Sequence, residues 1–241
     1  KTKPNIICAV PSLHETFTKN PGLGKKDLEC LEAVISGGDF MSQSLKERID
    51  ASLKEYGSKA EVRIGYGLTE ATAATCLTPT NRYKNGSIGI PFPDTLYKIV
   101  AVGTHEELKP NEDGEICICG PTVMQGYMNN ESETLQTLRV HDDGKTWLHT
   151  GDIGYMDEDG FLYIKGRIKR MITRFDGHKV FPINLESMIT DLPDIHNCAV
   201  VGTDDLEHSQ GQYPMAIIEV LNGADVEATC KKVFDYCNVH A

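Results

Sequence analysis

Short apolar runs alternating with helical patterns fill the first eighty residues. Ile6-Ile7-Cys8-Ala9-Val10 and Ala33-Val34-Ile35 are unbroken apolar runs, the pattern of strands buried on both faces. The stretch 28–32 is expected as a short helix. A longer helix is expected over 42–56, because Leu45, Ile49 and Leu53 recur every fourth position and Gly57 follows as a stop. Val62-Arg63-Ile64 reads as another strand, running into Gly65-Tyr66-Gly67. Strands and helices in this alternation predict an α/β layer over residues 1–80.

From 81 to 166 the pattern becomes short β-runs separated by turn residues, which predicts a β-barrel-like subdomain. Asn111-Glu112-Asp113-Gly114 and Asp157-Glu158-Asp159-Gly160 are turn signals, the second set between Ile153-Gly154-Tyr155-Met156 and Phe161-Leu162-Tyr163-Ile164. Neither fits a calcium loop, since a loop begun at Asp157 carries Ile168 where the twelfth-position Glu belongs. Residues 167–241 then predict a small α+β domain. Its helix over 182–192 has Pro at its first turn, with Leu185, Met188, Ile189 and Leu192 on one face. Strands are expected over 198–202 and 215–220, and a helix over 225–239 with Val226, Cys230, Val233, Phe234 and Cys237 as its apolar face.

Composition narrows the classes. The 241 residues hold 24 Lys+Arg and 35 Asp+Glu, a formal charge of −11 that argues against nucleic acid as a partner. Hydrophobic residues at 40% fit a folded protein rather than a disordered one. No run approaches the roughly 20 apolar residues that cross a bilayer, and Lys1-Thr2-Lys3 before a five-residue run interrupted by Pro4 is too short for a signal peptide. Eight cysteines are scattered along the chain, and only Cys117 and Cys119 are close, on one face of a strand with no second pair to complete a zinc site. A reduced, cytoplasmic thiol set is the expectation.

Three constellations could carry chemistry. In Gly65-Tyr66-Gly67-Leu68-Thr69-Glu70 the glycines allow a sharp turn and a close backbone approach at a strand end, where α/β sheets bind ligands. Thr69 offers a hydroxyl to phosphate, Glu70 a hard oxygen to Mg²⁺ and Tyr66 a flat face to a base; an ordinary glycine turn with a solvated Thr-Glu pair is the alternative. The second is Trp147-Leu148-His149-Thr150-Gly151-Asp152, one hairpin from Gly166-Arg167, where Asp152 and Arg167 could hold ribose hydroxyls or be a turn Asp and a surface Arg. The third is a basic segment: Lys165, Arg167, Lys169, Arg170, Arg174 and Lys179 stand against Asp176 alone. In an acidic chain this suggests where a phosphorylated ligand arrives, or a solvated face.

In order and spacing, Ser36-Gly37-Gly38-Asp39, Tyr66-Gly67-Leu68-Thr69-Glu70, Gly114-Glu115-Ile116-x-Ile118-x-Gly120, Gly126-Tyr127-Met128-Asn129, Trp147-x-x-Thr150-Gly151-Asp152 and Gly166-Arg167 through Gly177 to Pro182 and Glu186 resemble the signatures of the adenylate-forming enzyme superfamily. That superfamily comprises acyl-CoA synthetases, peptide-synthetase adenylation domains and luciferases, and the wording is most similar to carboxylate-CoA ligases of fatty or aryl acids. The resemblance implies an acetyl-CoA synthetase-like fold: α/β plus a β-barrel subdomain and a small α+β C-terminal domain, truncated at both ends. It also implies ATP, Mg²⁺ and coenzyme A as cofactors, with AMP released and a carboxylic acid as substrate.

By the same resemblance, Gly38 and Asp39 border the adenine and acyl site, Tyr66 lies along the adenine, and Gly67 beside it belongs to the cofactor-binding residues. Thr69 binds phosphate and Glu70 reaches Mg²⁺. Asp152 and Arg167 hold the ribose, with Ile164 as an apolar contact to the base. Lys169 matches the hinge of the small domain and Gly177 the loop lining the pantetheine tunnel. The family's phosphate loop would precede Lys1 and its catalytic lysine would follow Ala241, so the chain alone is expected to be inactive and prone to self-association through exposed apolar faces. Two alternatives stay open: a non-catalytic module binding AMP, acyl-adenylate or coenzyme A, and an adenylation domain loading a carrier protein.

Overall fold

The computed structural model describes residues 3–240; Lys1 and Thr2, the first residues of the charged start, and Ala241 lie outside the described residues. The chain divides into two units, one of residues up to Thr150 with Gly154–Ile164, the other of Gly151–Ile153 with Lys165 onward.

In the first unit, β1 (Ile6–Ala9), α1 (Pro11–Thr18), β2 (Ala33–Ser36), α2 (Gln43–Glu55), β3 (Val62–Leu68), β4 (Ala73–Leu77) and β5 (Ile90–Pro91) follow in order. Their five-stranded sheet runs β1-β2-β3-β4-β5, parallel across the first three strands and antiparallel beyond. The period-four stripe of α2 buries Ile49 and Leu53, and the Ser42 hydroxyl caps the helix by accepting from the Leu45 N–H at 3.2 Å. Lys46 is buried on the same helix and pairs with Asp50 at 2.6 Å, while the other Asp50 oxygen accepts from the Val62 N–H, tying α2 to β3.

The helix expected over 28–32 is a turn. Leu28 N–H donates to the Tyr56 carbonyl and Leu31 N–H to that of Leu28, so both leucines are pinned into the core beside the end of α2 without a helix around them. Helix α1 escaped the sequence pattern: at eight residues it is too short to show periodicity, although Pro11 stands at its first turn. It buries His14, whose Nε2 lies 2.9 Å from the Ile35 carbonyl.

The second sheet contains β6 (Leu96–Val100), β7 (Gly114–Cys119), β8 (Leu138–Val140, preceded by α3, Glu131–Thr137), β9 (Thr146–Met156) and β10 (Leu162–Arg167). Its order is β10-β9-β7-β6, with β8 paired to β9. The turn after β9 is built as its sequence demands: Asp157 Oδ1 accepts from the N–H groups of Asp159 and Phe161, and Lys84 clamps Asp157 and Asp159 at 2.6 Å each. On β7, Cys117 is buried, Cys119 is half-buried, and all eight cysteines of the chain are free thiols.

The second unit adds β11 (Ile172–Thr173), β12 (Lys179–Val180), α4 (Pro182–Thr190), β13 (Ile195–Asp204), β14 (Gln212–Val220) and α5 (Val226–His240). β11 pairs with β12 and β13 with β14, both antiparallel, and the second hairpin extends well beyond the two short strands expected. Its core is Ile172, Ile189, Ile195, Val200 and Val233. The buried face of α5 is not the one the apolar positions suggest. Thr229 and Val233 point inward with Cys237 beside them, whereas Val226, Cys230 and Phe234 are exposed.

Candidate functional site

The parallel pairing of β2 and β3 brings two glycine-rich strand ends side by side. A Cβ on Gly37 would lie 2.9 Å from the Gly65 carbonyl oxygen, so Ser36-Gly37-Gly38-Asp39 and Gly65-Tyr66-Gly67 meet backbone to backbone. Ligands of open α/β sheets bind beyond such carboxyl ends. Gly38 takes a left-handed backbone (φ +81°), and Asp39 is exposed, its Oδ1 accepting from the Phe40 N–H at 2.8 Å. Gly67 also makes room for a neighbouring strand: a Cβ there would sit 1.7 Å from the Ala73 oxygen, so its missing side chain admits β4. Tyr66 and Ile164 are half-buried and both pack against the cluster formed by Ala71, Cys76, Ile99, Ile116, Ile118, Leu148 and Leu162.

Strand β3 ends in a short 3₁₀ turn, Thr69–Ala71. Thr69 is exposed, leaving its side chain accessible to a ligand. The Glu70 carboxylate accepts a 2.7 Å hydrogen bond from the Tyr127 hydroxyl, and its carbonyl accepts one of the same length from the Met124 N–H. Thr72, held at φ +69°, donates its hydroxyl to the Thr122 carbonyl at 2.7 Å. A β-branched residue in the left-handed region is a strained choice, and these three bonds hold it there. The carboxylate hydrogen bond pushes the Tyr127 phenol above its ordinary pKa. Glu70 is a half-buried, ordered hard-oxygen donor, which fits a Mg²⁺ ligand. Tyr127 is the residue that sequence reasoning left without a role; the only signal was its place in Gly126-Tyr127-Met128-Asn129.

In the second unit, Asp152 is buried on β9 and Arg167, at the end of β10, is exposed, and the two join directly: Arg167 Nε lies 2.9 Å from Asp152 Oδ1. Lys169 stands exposed in the 3₁₀ turn Ile168–Arg170 and makes no ion pair among the described residues. Gly177 (φ +80°) closes the β11–β12 turn, its N–H donating to the Arg174 carbonyl at 2.9 Å. The basic segment is less bare than its sequence suggests, because Arg170 pairs with Glu186 at 2.6 Å, Arg174 with Asp176 at 3.5 Å and Arg167 with Asp152. Three of the six cations are thus paired with carboxylates of Asp152, Asp176 and Glu186.

The sequence profile described as AMP-binding enzyme matches residues 1–128. Luciferin 4-monooxygenase of Nipponoluciola cruciata is 36% identical over 234 residues, which are 97% of this chain and 40% of that protein. A probable CoA ligase of Humulus lupulus is 36% identical over 94% of this chain and 40% of its own length. The structure of O-succinylbenzoate coenzyme A synthetase from Bacillus subtilis in complex with ATP and magnesium ion superposes with a TM-score of 0.80 at 27% identity, covering 99% of this chain and 46% of that one. The chain therefore spans about 40% of the length of the curated relatives it matches.

Proposed function

The chain belongs to the AMP-binding enzyme family, and from that premise we propose that the protein activates a carboxylic acid, fatty or aryl, and transfers it to coenzyme A. A carboxylate oxygen attacks the α-phosphorus of ATP and the bond to pyrophosphate breaks, giving an acyl-adenylate. The thiolate of coenzyme A then attacks the acyl carbonyl, and AMP leaves as the thioester forms. The relatives include CoA ligases, which supports the acceptor, and because the chain covers only part of their length the complete reaction is a proposal for the whole protein.

The observation that carries this reading is the ordered Thr69-Glu70 turn beyond the β2 and β3 strand ends, with Glu70 held by Tyr127. We assign Thr69 to phosphate and Glu70 to Mg²⁺, with Gly38 and Asp39 bordering the adenine and acyl groups and Tyr66 and Gly67 along the adenine. Mg²⁺, when bound, neutralises phosphate charge. Asp152 accepts from ribose hydroxyls with Arg167 fixing its carboxylate, and Ile164 gives an apolar contact to the base. Lys169 is the proposed hinge and Gly177 the pantetheine-loop residue. The 241 residues contain no glycine-rich loop with a lysine for the triphosphate, so on their own they are expected to bind AMP without forming adenylate.

Calorimetric titration of AMP tests the ribose assignment. Loss of hydrogen bonds to a charged group costs about 1.5–3 kcal/mol, so Asp152→Ala is expected to weaken AMP binding by roughly 10- to 100-fold. Unchanged affinity in Asp152→Ala removes Asp152 from the site.

A further inference from the structure

Away from the strand ends, three histidines converge where the β6–β7 loop meets the β8–β9 hairpin. His105 lies in the loop, His141 directly follows β8, and His149 is on β9; their nearest ring nitrogens all lie within 4.8 Å of one another. His141 and His149 are buried and their Nε2 atoms are 2.8 Å apart. His149 Nδ1 lies 2.9 Å from a carboxylate oxygen of Glu115, itself buried on β7. His105 is exposed and stacks on His141, ring centroids 4.1 Å apart.

We propose that His105, His141 and His149 form a binding site for a divalent first-row transition ion, Zn²⁺ foremost, with Glu115 positioning His149. The hydrogen bonds determine what is missing. With the Nδ1 proton of His149 given to Glu115, its Nε2 presents a lone pair, and a carboxylate behind a histidine is the usual support of a zinc ligand. His141 then donates its Nε2 proton to His149, which leaves the His141 Nδ1 lone pair buried with no partner among the described residues. Two Nε2 atoms here share a single proton, and a cation drawn into the cluster replaces it, taking a lone pair from each imidazole while the Nδ1 atoms carry the protons.

Geometry fits as well. Zn–N bonds of about 2.0–2.1 Å in a tetrahedron set ligand nitrogens about 3.3 Å apart, within the span from 2.8 to 4.8 Å seen here. His105 reaches its position by rotating off the stack, which its exposure allows. Imidazole nitrogens select a borderline ion such as Zn²⁺ over Mg²⁺, which prefers oxygen, so the site is chemically separate from Glu70. Three histidines leave a fourth position for water, and a bound ion would tie the β6–β7 loop to the hairpin.

The test is titration of the full chain with Zn²⁺ by calorimetry and with Co²⁺ by absorption. The expected result is one ion per chain, a visible cobalt spectrum without the near-ultraviolet thiolate band, and a thermal transition raised by Zn²⁺. His105→Ala, which removes an exposed ring and leaves the buried pair intact, should weaken binding at least about 10-fold, and Glu115→Gln by roughly 10- to 100-fold. Absence of a stoichiometric ion, a thiolate band, or wild-type affinity in His105→Ala each overturns the site.

Discussion

At Glu70 a single hydroxyl decides where the carboxylate points. Tyr127 donates to Glu70 at 2.7 Å, so the carboxylate is oriented in advance for the metal-nucleotide proposed to bind there. Tyr127→Phe keeps the ring and removes the donor. In the whole enzyme it is expected to raise the KM for Mg-ATP about 3- to 10-fold, the worth of one ordinary hydrogen bond or somewhat more. Glu70→Gln should instead lower kcat and weaken the dependence on Mg²⁺; steady-state kinetics over a Mg²⁺ series separates the two. Gly67 makes a contrasting case. A Cβ there collides with the Ala73 carbonyl of the neighbouring strand, so Gly67→Ala should destabilise by about 3–5 kcal/mol, measured by urea denaturation. If Gly67→Ala folds normally and loses only nucleotide affinity, then the glycine serves the ligand instead of β4.

At the scale of elements, the β9–β10 turn is held by charge. Burial pushes the Asp157 carboxyl up, but the Lys84 hydrogen bond and the N–H groups of Phe161 and Asp159 outweigh it and hold the group below its ordinary pKa. Asp157 and then Asp159 raise the Lys84 ammonium above its own. A lowered carboxyl pKa stabilises above about pH 4 and is lost as the pH falls through the folded value; a raised ammonium pKa stabilises below about pH 10 and is lost above it. Lys84→Met is therefore expected to lower the thermal midpoint across neutral pH and to match wild type in acid. A difference that persists at low pH would assign the loss to packing.

Elements also show what a sequence can disclose. Helix α2 was legible because three turns repeat one stripe, and α4 because proline marks its start. The turn at Asp157-Glu158-Asp159-Gly160 was legible because Asp and Gly each have one physical task there. Leu28 and Leu31 gave the spacing of a helix although a turn buries them equally well. On α5 the apolar positions named two overlapping faces, and only packing against α4 and β14 selects Thr229 and Val233. The hydrogen bond from Tyr127 to Glu70 spans 57 residues and leaves no local pattern.

For the whole molecule, charge and exposure set the expectations. The ion pairs of Arg167, Arg170 and Arg174 reduce the basic field of the second unit, so attraction of a polyanion should be weaker and less salt-dependent than six bare cations imply. On the β13–β14 hairpin, Val201 and Met215 are paired and both exposed, and Ile217 is exposed beside Ala199, the apolar face on which we propose that self-association would occur. Sedimentation should show mass increasing with concentration and Ile217→Lys should suppress it; a monomer at every concentration would count against that expectation. Among the described residues no helix is long and apolar enough to cross a membrane.

The central claim is carboxylate activation by a protein that contains this chain. Its most direct test is the release of AMP from ATP by the full-length protein, assayed with and without a panel of fatty and aryl acids and with and without coenzyme A. The account predicts AMP in step with acyl-CoA, requiring both acid and Mg²⁺ and falling sharply in Glu70→Gln. AMP release that ignores the acid, or a thioester formed only on a carrier protein, would contradict it.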